Sequence, residues 1–140
     1  MSGFGVRLVI TPDADWAAKW ETPSDTTPYF SEATEVRRGG RLTILTFFAN
    51  PLPNASGEVD VRCDLKITRP DGSLSLDAKN VVCMSGVLQG PLANVRLSAP
   101  IIAFVAETGD QAGSWQVDIV VQDSNRGVKV PVHASFVLRD

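Results

Sequence analysis

Three polar residues near the C-terminal end are of the types that form a hydrolytic catalytic set. His133 is the only histidine in the chain, Ser135 lies two positions further along, and Asp118 precedes both. In such a set a hydroxyl attacks the substrate, an imidazole takes up its proton, and a carboxylate orients the imidazole. These side chains can cooperate only if the surrounding elements bring them together.

The segment that carries these residues is predicted to be a β-hairpin. Its sequence, GSWQVDIVVQDSNRGVKVPVHASFVL, alternates apolar and polar residues on either side of a polar turn, which is typical of half-buried strands. Both apolar sets must face the core, and a turn centred on the Asn-Arg pair achieves this. That turn pairs Trp115 with Phe136 and Asp118 with His133.

The predicted register places the imidazole opposite a carboxylate, but it argues against catalysis. Residues i and i+2 on a strand are about 6.6 Å apart, so Ser135 should not reach His133. A sheet face offers no pocket and no free amides for an oxyanion, because its amides belong to the ladder. We therefore predict an exposed charge pair between Asp118 and His133 and no catalytic residues. A small hydrolase, or an inhibitor of one, is an alternative.

The segment near residues 12–30 is predicted to form a short helix or an irregular loop, with Thr11 as the helix cap. Trp16 and Trp20 are four positions apart and would share one helical face. Large aromatic rings mostly serve burial, so these two rings are expected to cover the end of the protein. The alternative is an aromatic platform for a sugar or a peptide, formed by Trp16, Trp20 and Tyr29.

Compact groups of oxygen ligands occur at two places, Asp13 with Asp15 and Asp123 with Ser124 and Asn125. Neither group fits a calcium-loop pattern, so we predict solvated turns and no metal site. No glycine-rich phosphate loop precedes a helix. We expect no cofactor.

The chain has two cysteines, Cys63 and Cys83, and the sequence leaves their state open. They cannot form a Cys-rich zinc site by themselves, and no C-x-x-C motif occurs. In an exported protein they would form a disulfide, which contributes about 3 kcal/mol in the chain-entropy model. In a cytosolic protein they would be buried thiols that behave as small apolar residues.

Length and charge restrict the function classes. The 140 residues suit one domain, expected over residues 1–140. The formal net charge of −3 lacks the basic excess usual in nucleic-acid binders, so nucleic acid is not an expected partner. No apolar run is long enough for membrane insertion. As written, the chain is expected in the cytoplasm; it would be periplasmic or secreted if it is a mature chain whose signal has been removed.

Two-residue alternation also governs the rest of the chain. The clearest case is GEVDVRCDLKIT, in which every second residue from Val59 to Ile67 is apolar, a pattern that a helix does not explain. Pro70-Asp71-Gly72 then supplies a turn. We predict an all-β, antiparallel, two-sheet sandwich of about seven to nine strands.

The segment GDQAGSWQVDIVVQD, with Asp110, Gly113 and Trp115, resembles one that is common to immunoglobulin-like sandwich domains. The order VRRGGRLTILTFFANP, ITRPDGSLSL and this segment is similar to the bacterial members of that broad group. The sequence departs from antibody-type domains, because Trp115 stands where tyrosine is usual and an extra residue intervenes. Cys63 and Cys83 are also not placed as the inter-sheet pair. The resemblance implies binding or assembly rather than catalysis.

These observations predict a non-catalytic module that binds another protein. The contact would use an exposed edge strand or the end loops, especially the segment with Trp16 and Trp20. A carbohydrate-binding module that uses the loop tryptophans is an alternative. A homodimer is a further alternative for the partner.

Overall fold

The computed structural model describes residues 3–20 and 31–140. It shows an all-β, sandwich-like protein of two sheets with one short helix, which confirms the expected fold class. No helix within the described ranges is long and apolar enough to cross a membrane. In chain order the elements are β1 (Gly5–Thr11), α1 (Trp16–Trp20), β2 (Glu35–Arg37), β3 (Arg41–Ala49), β4 (Val59–Thr68), β5 (Leu74–Gly86), β6 (Arg96–Leu97), β7 (Ile102–Val105), β8 (Gly113–Asp123) and β9 (Val128–Arg139).

The two sheets differ in size and order. The four-stranded sheet has β3 in its middle, with β1 on one side and the short strands β6 and β7 on the other. The five-stranded sheet has the order β2-β9-β8-β4-β5. All pairings are antiparallel except one, because β2 runs parallel to β9. The expected antiparallel arrangement is therefore wrong at this short strand.

The core lies between the sheets and is built by the alternation of β4, β8 and β9. Val117 and Val121 of β8 are fully buried, and each such side chain contributes roughly 1.5–3 kcal/mol. The predicted hairpin register is confirmed, since Trp115 pairs with Phe136. Their rings stack with centroids 6.1 Å apart, and the Phe104 ring meets Trp115 edge-on at 4.9 Å. A slip of one residue would turn all these side chains to solvent.

Strand β3 is buried on both of its faces, as its nearly continuous apolar sequence predicts. Its outward Leu45 and Phe47 pack with Trp16 and Trp20 of α1, and the Trp20 ring lies 5.1 Å from the Phe47 ring. The two tryptophans do share a face, but they cover the outer face of the four-stranded sheet rather than the end of the protein. The reason is that the apolar side chains of Leu45 and Phe47 on this face must be shielded from water.

The predicted cap of the helix is wrong. Thr11 is the fully buried last residue of β1, where it pairs with Thr43. Its Oγ1 accepts a hydrogen bond from the Asp13 amide at 3.1 Å, which turns the chain out of the strand. The helix begins only at Trp16. The ladder with β3 therefore extends further than the capping pattern suggested.

The chain crosses between the two sheets just after β6. The Ser98 amide donates to the Thr46 carbonyl of β3 at 2.8 Å, and the next amide, Ala99, donates to the Cys83 carbonyl of β5 at 3.1 Å. This crossing lies beside Pro100. It closes one side of the sandwich near the C-terminal end of β5.

Cys63 of β4 and Cys83 of β5 are joined by a disulfide. Both side chains are buried in the core. Of the two alternatives that the sequence left open, the structure therefore contains the bonded one. It links two neighbouring strands at a place where their register shifts.

Reduction of the Cys63–Cys83 disulfide should lower the free energy of unfolding by about 3 kcal/mol, because the open chain regains loop entropy. Equilibrium urea unfolding with and without a phosphine reductant measures this difference. The Cys63→Ala/Cys83→Ala double variant is the control, since its unfolding midpoint should not respond to the reductant. Equal midpoints for the unmodified chain would contradict the prediction.

The β4–β5 turn is tied to the loop before β8 through Asp71. Its carboxylate accepts hydrogen bonds from the Ser73 amide at 2.9 Å and hydroxyl at 2.6 Å, and from Gln111 Nε2 at 2.8 Å. The Asp71 amide in turn donates to Gln111 Oε1 at 3.1 Å. These bonds, with those from Ser73 the strongest, lower the pKa of Asp71 from 3.8 to about 2.

The carboxyl of Asp71 should therefore titrate in the folded chain with a pKa of about 2, as followed by the pH dependence of its ¹³C resonance. Because the folded pKa is the lower one, the turn's contribution to stability is present above pH 3.8 and is lost as the pH falls toward 2. The Asp71→Asn variant should lack this component in unfolding curves recorded across that range. Identical pH dependence for both chains would contradict it.

Candidate functional site

A cleft lies on the outer face of the four-stranded sheet, between that face and the chain that leads into α1. Its volume is about 300 Å³, at the low end of the range for small-molecule sites. We call it the outer-face cleft. The residues that line it are Pro12, Asp13, Ala14, Trp16, Arg41, Thr43, Ile101 and Ala103.

The register of β3 and β7 forms the floor of the outer-face cleft. Thr43 pairs with Ala103. Because both side chains are small, they leave a depression on the outer face of the sheet. Trp16 stands beside it because α1 covers the neighbouring Leu45 and Phe47. The cleft therefore lies where the chain into α1 passes over the small side chains of this sheet face.

The outer-face cleft combines an aromatic ring with charged groups. Arg41 is exposed and forms no ion pair with any residue in 3–20 or 31–140. The Asp13 carboxylate is already engaged, because its Oδ2 accepts a hydrogen bond from the Ser31 amide at 2.9 Å. A ring placed against Trp16 would have a free guanidinium within the same cleft, which suits a ligand with an apolar face and an anionic group.

Of the three aromatic residues that the sequence grouped together, Trp16 and Trp20 both pack against the cluster of Leu45 and Phe47. Trp16 lines the outer-face cleft, whereas Trp20 packs onto Phe47. Tyr29 lies outside the described residues. Sequence reasoning missed Arg41 and Thr43 as cleft residues. Their positions on β3 could have indicated this, because every second residue of a strand lies on the same face. Arg41 and Thr43 therefore share a face with Leu45.

The predicted pair on the other sheet is present. The Nδ1 atom of His133 lies 2.8 Å from Oδ1 of Asp118, and both side chains are about half exposed. The pair belongs to a row across four strands, in which Asp77 is opposite Lys66, Lys66 is opposite Asp118, and Asp118 is opposite His133. Ser135 pairs with Gln116 in a separate row. The row alternates acidic and basic residues and faces solvent, which is an ordinary way to solvate a sheet.

Asp123 is not in the solvated turn that the sequence predicts. Its side chain is fully buried, and its Oδ2 accepts hydrogen bonds from the Leu52 amide at 2.9 Å and from Arg126 Nε at 3.2 Å. Its Oδ1 has no hydrogen-bond partner. Arg126 also donates to the Asn50 carbonyl at 3.1 Å. The physical reason is the alternation of side chains along β8. Asp123 is two positions after Val121, so its side chain points to the same, inward face.

The Asp123 region therefore has a structural role. Its neighbour Asn125 donates from Nδ2 to the carbonyls of Leu52 and Glu58, each at 2.9 Å. Together these contacts hold the loop after β3 against the β8–β9 turn. No group of three or more His, Cys, Asp or Glu side chains in the described part of the chain is arranged to hold a metal ion.

No protein-family model matches this chain, and neither does any curated protein. Several solved structures are similar in fold, and two of them are enzymes. A Pseudomonas fluorescens alkylpurine DNA glycosylase, AlkC, bound to DNA with an abasic site analog, has a TM-score of 0.52 and 14% identity over 98% of this chain and 30% of its own. A family 123 glycoside hydrolase from Clostridium perfringens, which hydrolyses glycolipid glycans, has a TM-score of 0.51 and 10% identity over 97% of this chain and 28% of its own.

Removal of the buried carboxylate should destabilise the protein. Asp123→Ala leaves the Leu52 amide and the Arg126 guanidinium without their acceptor, which should cost about 1–3 kcal/mol in the free energy of unfolding. Asp118→Ala is the matched control, because it removes a carboxylate from the opposite face of the same strand and should cost no more than about 1 kcal/mol. Urea unfolding of both variants measures the difference. Equal losses in the free energy of unfolding would show that the hydrogen bonds accepted by Asp123 do not stabilise the fold.

Proposed function

We propose that this chain is a non-catalytic binding module of immunoglobulin-like type and that it holds its ligand in the outer-face cleft. The observation that carries the proposal is the presence of the Trp16 ring and the Arg41 guanidinium in one cleft of about 300 Å³. The ring offers an apolar surface, and the guanidinium offers charge-assisted hydrogen bonds. Arg41 is exposed and Trp16 is half-buried.

The residues of the immunoglobulin-like segment support the type of module. Trp115 Nε1 donates to the Gln111 carbonyl at 2.9 Å, in the same way that the tyrosine of such domains bonds back to the upstream backbone. Gly113 has a φ of 128°, and a Cβ atom there would lie 3.0 Å from Pro70. Glycine is therefore required by both the conformation and the close approach. The tryptophan replaces tyrosine without loss of the hydrogen bond.

The geometry of the Asp118–His133 face supports a non-catalytic role. His133 is engaged with Asp118 on an open, charge-balanced face, which lacks the enclosed setting that acid–base chemistry uses. This chain spans less than a third of each similar enzyme, so a sandwich of this shape there forms only part of a larger enzyme. An accessory role for this chain follows the same pattern. The disulfide favours an oxidising compartment.

A saccharide is the second candidate, and it specifies the ligand of the same cleft. Sugar rings have an apolar face that stacks on tryptophan and hydroxyl groups that bind polar side chains. Trp16 and Thr43 offer these two features in the outer-face cleft. Arg41 would favour saccharides with a carboxylate over neutral ones. One of the two similar structures is a glycoside hydrolase, although that likeness shows the fold alone.

A saccharide panel with neutral and uronic-acid members tests this function. Binding should move the amide resonances of Thr43 and Ala103, and Trp16→Ala should weaken it by about three- to tenfold. Arg41→Ala should weaken binding of the uronic acids only. Arg37→Ala is the matched control, because Arg37 is also exposed but lies on β2 of the other sheet.

Three outcomes would contradict the proposal. The resonance changes could fall on the five-stranded sheet instead of on Thr43 and Ala103. The Arg37→Ala and Arg41→Ala variants could lose binding equally. A panel of saccharides and small carboxylates that moves no resonance at all would remove the outer-face cleft as a ligand site.

A further inference from the structure

Strand β5 forms an edge of the five-stranded sheet. It is 13 residues long and pairs with β4 on one side. Near its C-terminal end, the Cys83 carbonyl accepts a hydrogen bond from the Ala99 amide. The portion from Leu74 to Val82 has no second strand beside it in the described part of the chain. An open edge of this length presents unpaired N–H and C=O groups to another strand.

Four of the exposed side chains of this portion lie at positions that are symmetric about Ala78. Leu74 and Val82 lie at its two ends and are 46% and 47% exposed. Asp77 and Lys79 flank the centre, with Lys79 Nζ 3.8 Å from Asp77 Oδ1. An apolar residue at each end and opposite charges beside the centre make the strand complementary to a reversed copy of itself.

Register shows that these side chains share the outer face of the sheet. Leu74 is opposite Thr68, Val82 is opposite Arg62, and Asp77 is opposite Lys66. The three β4 residues alternate with the buried positions of that strand, so they and their β5 partners point outward. Since directly opposed residues of an antiparallel pair share a face, a second β5 can meet them side by side.

We propose that the β5 edge binds the β5 edge of a second copy of this chain, antiparallel and with the two-fold axis at Ala78. Leu74 then lies opposite Val82 of the second copy, and Asp77 lies opposite Lys79 of the second copy. Each contact occurs twice, as a two-fold interface requires. The five-stranded sheets become continuous across the two molecules. The outer-face cleft lies on the other sheet, so this interface does not depend on the proposed ligand site.

Two features of β5 determine the strength of this association. The strand has register shifts against β4, and Asn80 has a positive φ of 55°, so the ladder between copies is interrupted. Within one copy Asp77 and Lys79 also pair with each other, which is how a lone edge strand discourages unwanted pairing. We therefore expect a dimer that dissociates on dilution rather than an obligate one.

Charge reversal tests the interface by sedimentation velocity over a range of protein concentrations. Lys79→Asp places carboxylates opposite carboxylates at both symmetric positions and should raise the dimer dissociation constant by about tenfold or more. The double variant Asp77→Lys/Lys79→Asp restores opposite charges and should restore the dimer. Lys129→Asp is the matched control, because it reverses an exposed lysine on β9 of the same sheet, away from the edge.

Thermal unfolding of each variant shows that it is folded, and the double variant keeps the test valid even if Lys79→Asp alone is destabilised. A chain that is monomeric at all concentrations would overturn the proposal. A dimer that is unaffected by Lys79→Asp, or that the double variant does not restore, would place the interface elsewhere and would also overturn it.

Discussion

The burial of strand β3 on both of its faces is the constraint on which the rest of the structure depends. Ile44 and Phe48 enter the core between the sheets, while Leu45 and Phe47 lie on the opposite face. An apolar outer face needs a cover in water. Within the described residues the short helix α1 contributes to this cover. The outer-face cleft lies beside it.

The two outer faces of the sandwich meet solvent in different ways. On the five-stranded sheet, opposed strands alternate acidic and basic residues in one row, which includes Asp118 and His133. On the four-stranded sheet, two tryptophans cover apolar side chains. The residue types that suggest catalysis are thus used to solvate a flat surface. The outer-face cleft lies on the four-stranded sheet, beside these tryptophans.

The two ends of the sandwich are held by carboxylates that accept backbone hydrogen bonds. Asp71 accepts from the Ser73 amide at the β4–β5 turn, and Asp123 accepts from the Leu52 amide at the opposite end of β4. An acidic residue in either place looks like a solvated turn in the sequence, but here each one fixes a loop. Our two proposals concern the outer-face cleft and the β5 edge, which lie on different sheets.

The sequence by itself determined the strands β4, β8 and β9, their faces and the register of the last hairpin, because side chains alternate with a period of two and a turn centred on Asn125-Arg126 brings both apolar sets to the core. It did not show that β5 continues to Gly86. The Asp118–His133 pair follows directly from that register. The burial of Asp123 was within reach of the same argument, since it shares the parity of Val121, but the turn residues beside it pointed the other way. Tertiary structure alone decided which surface Trp16 and Trp20 cover. It also decided that Arg41 and Thr43 lie beside Trp16, because α1 and β3 are distant in the chain and meet only through packing.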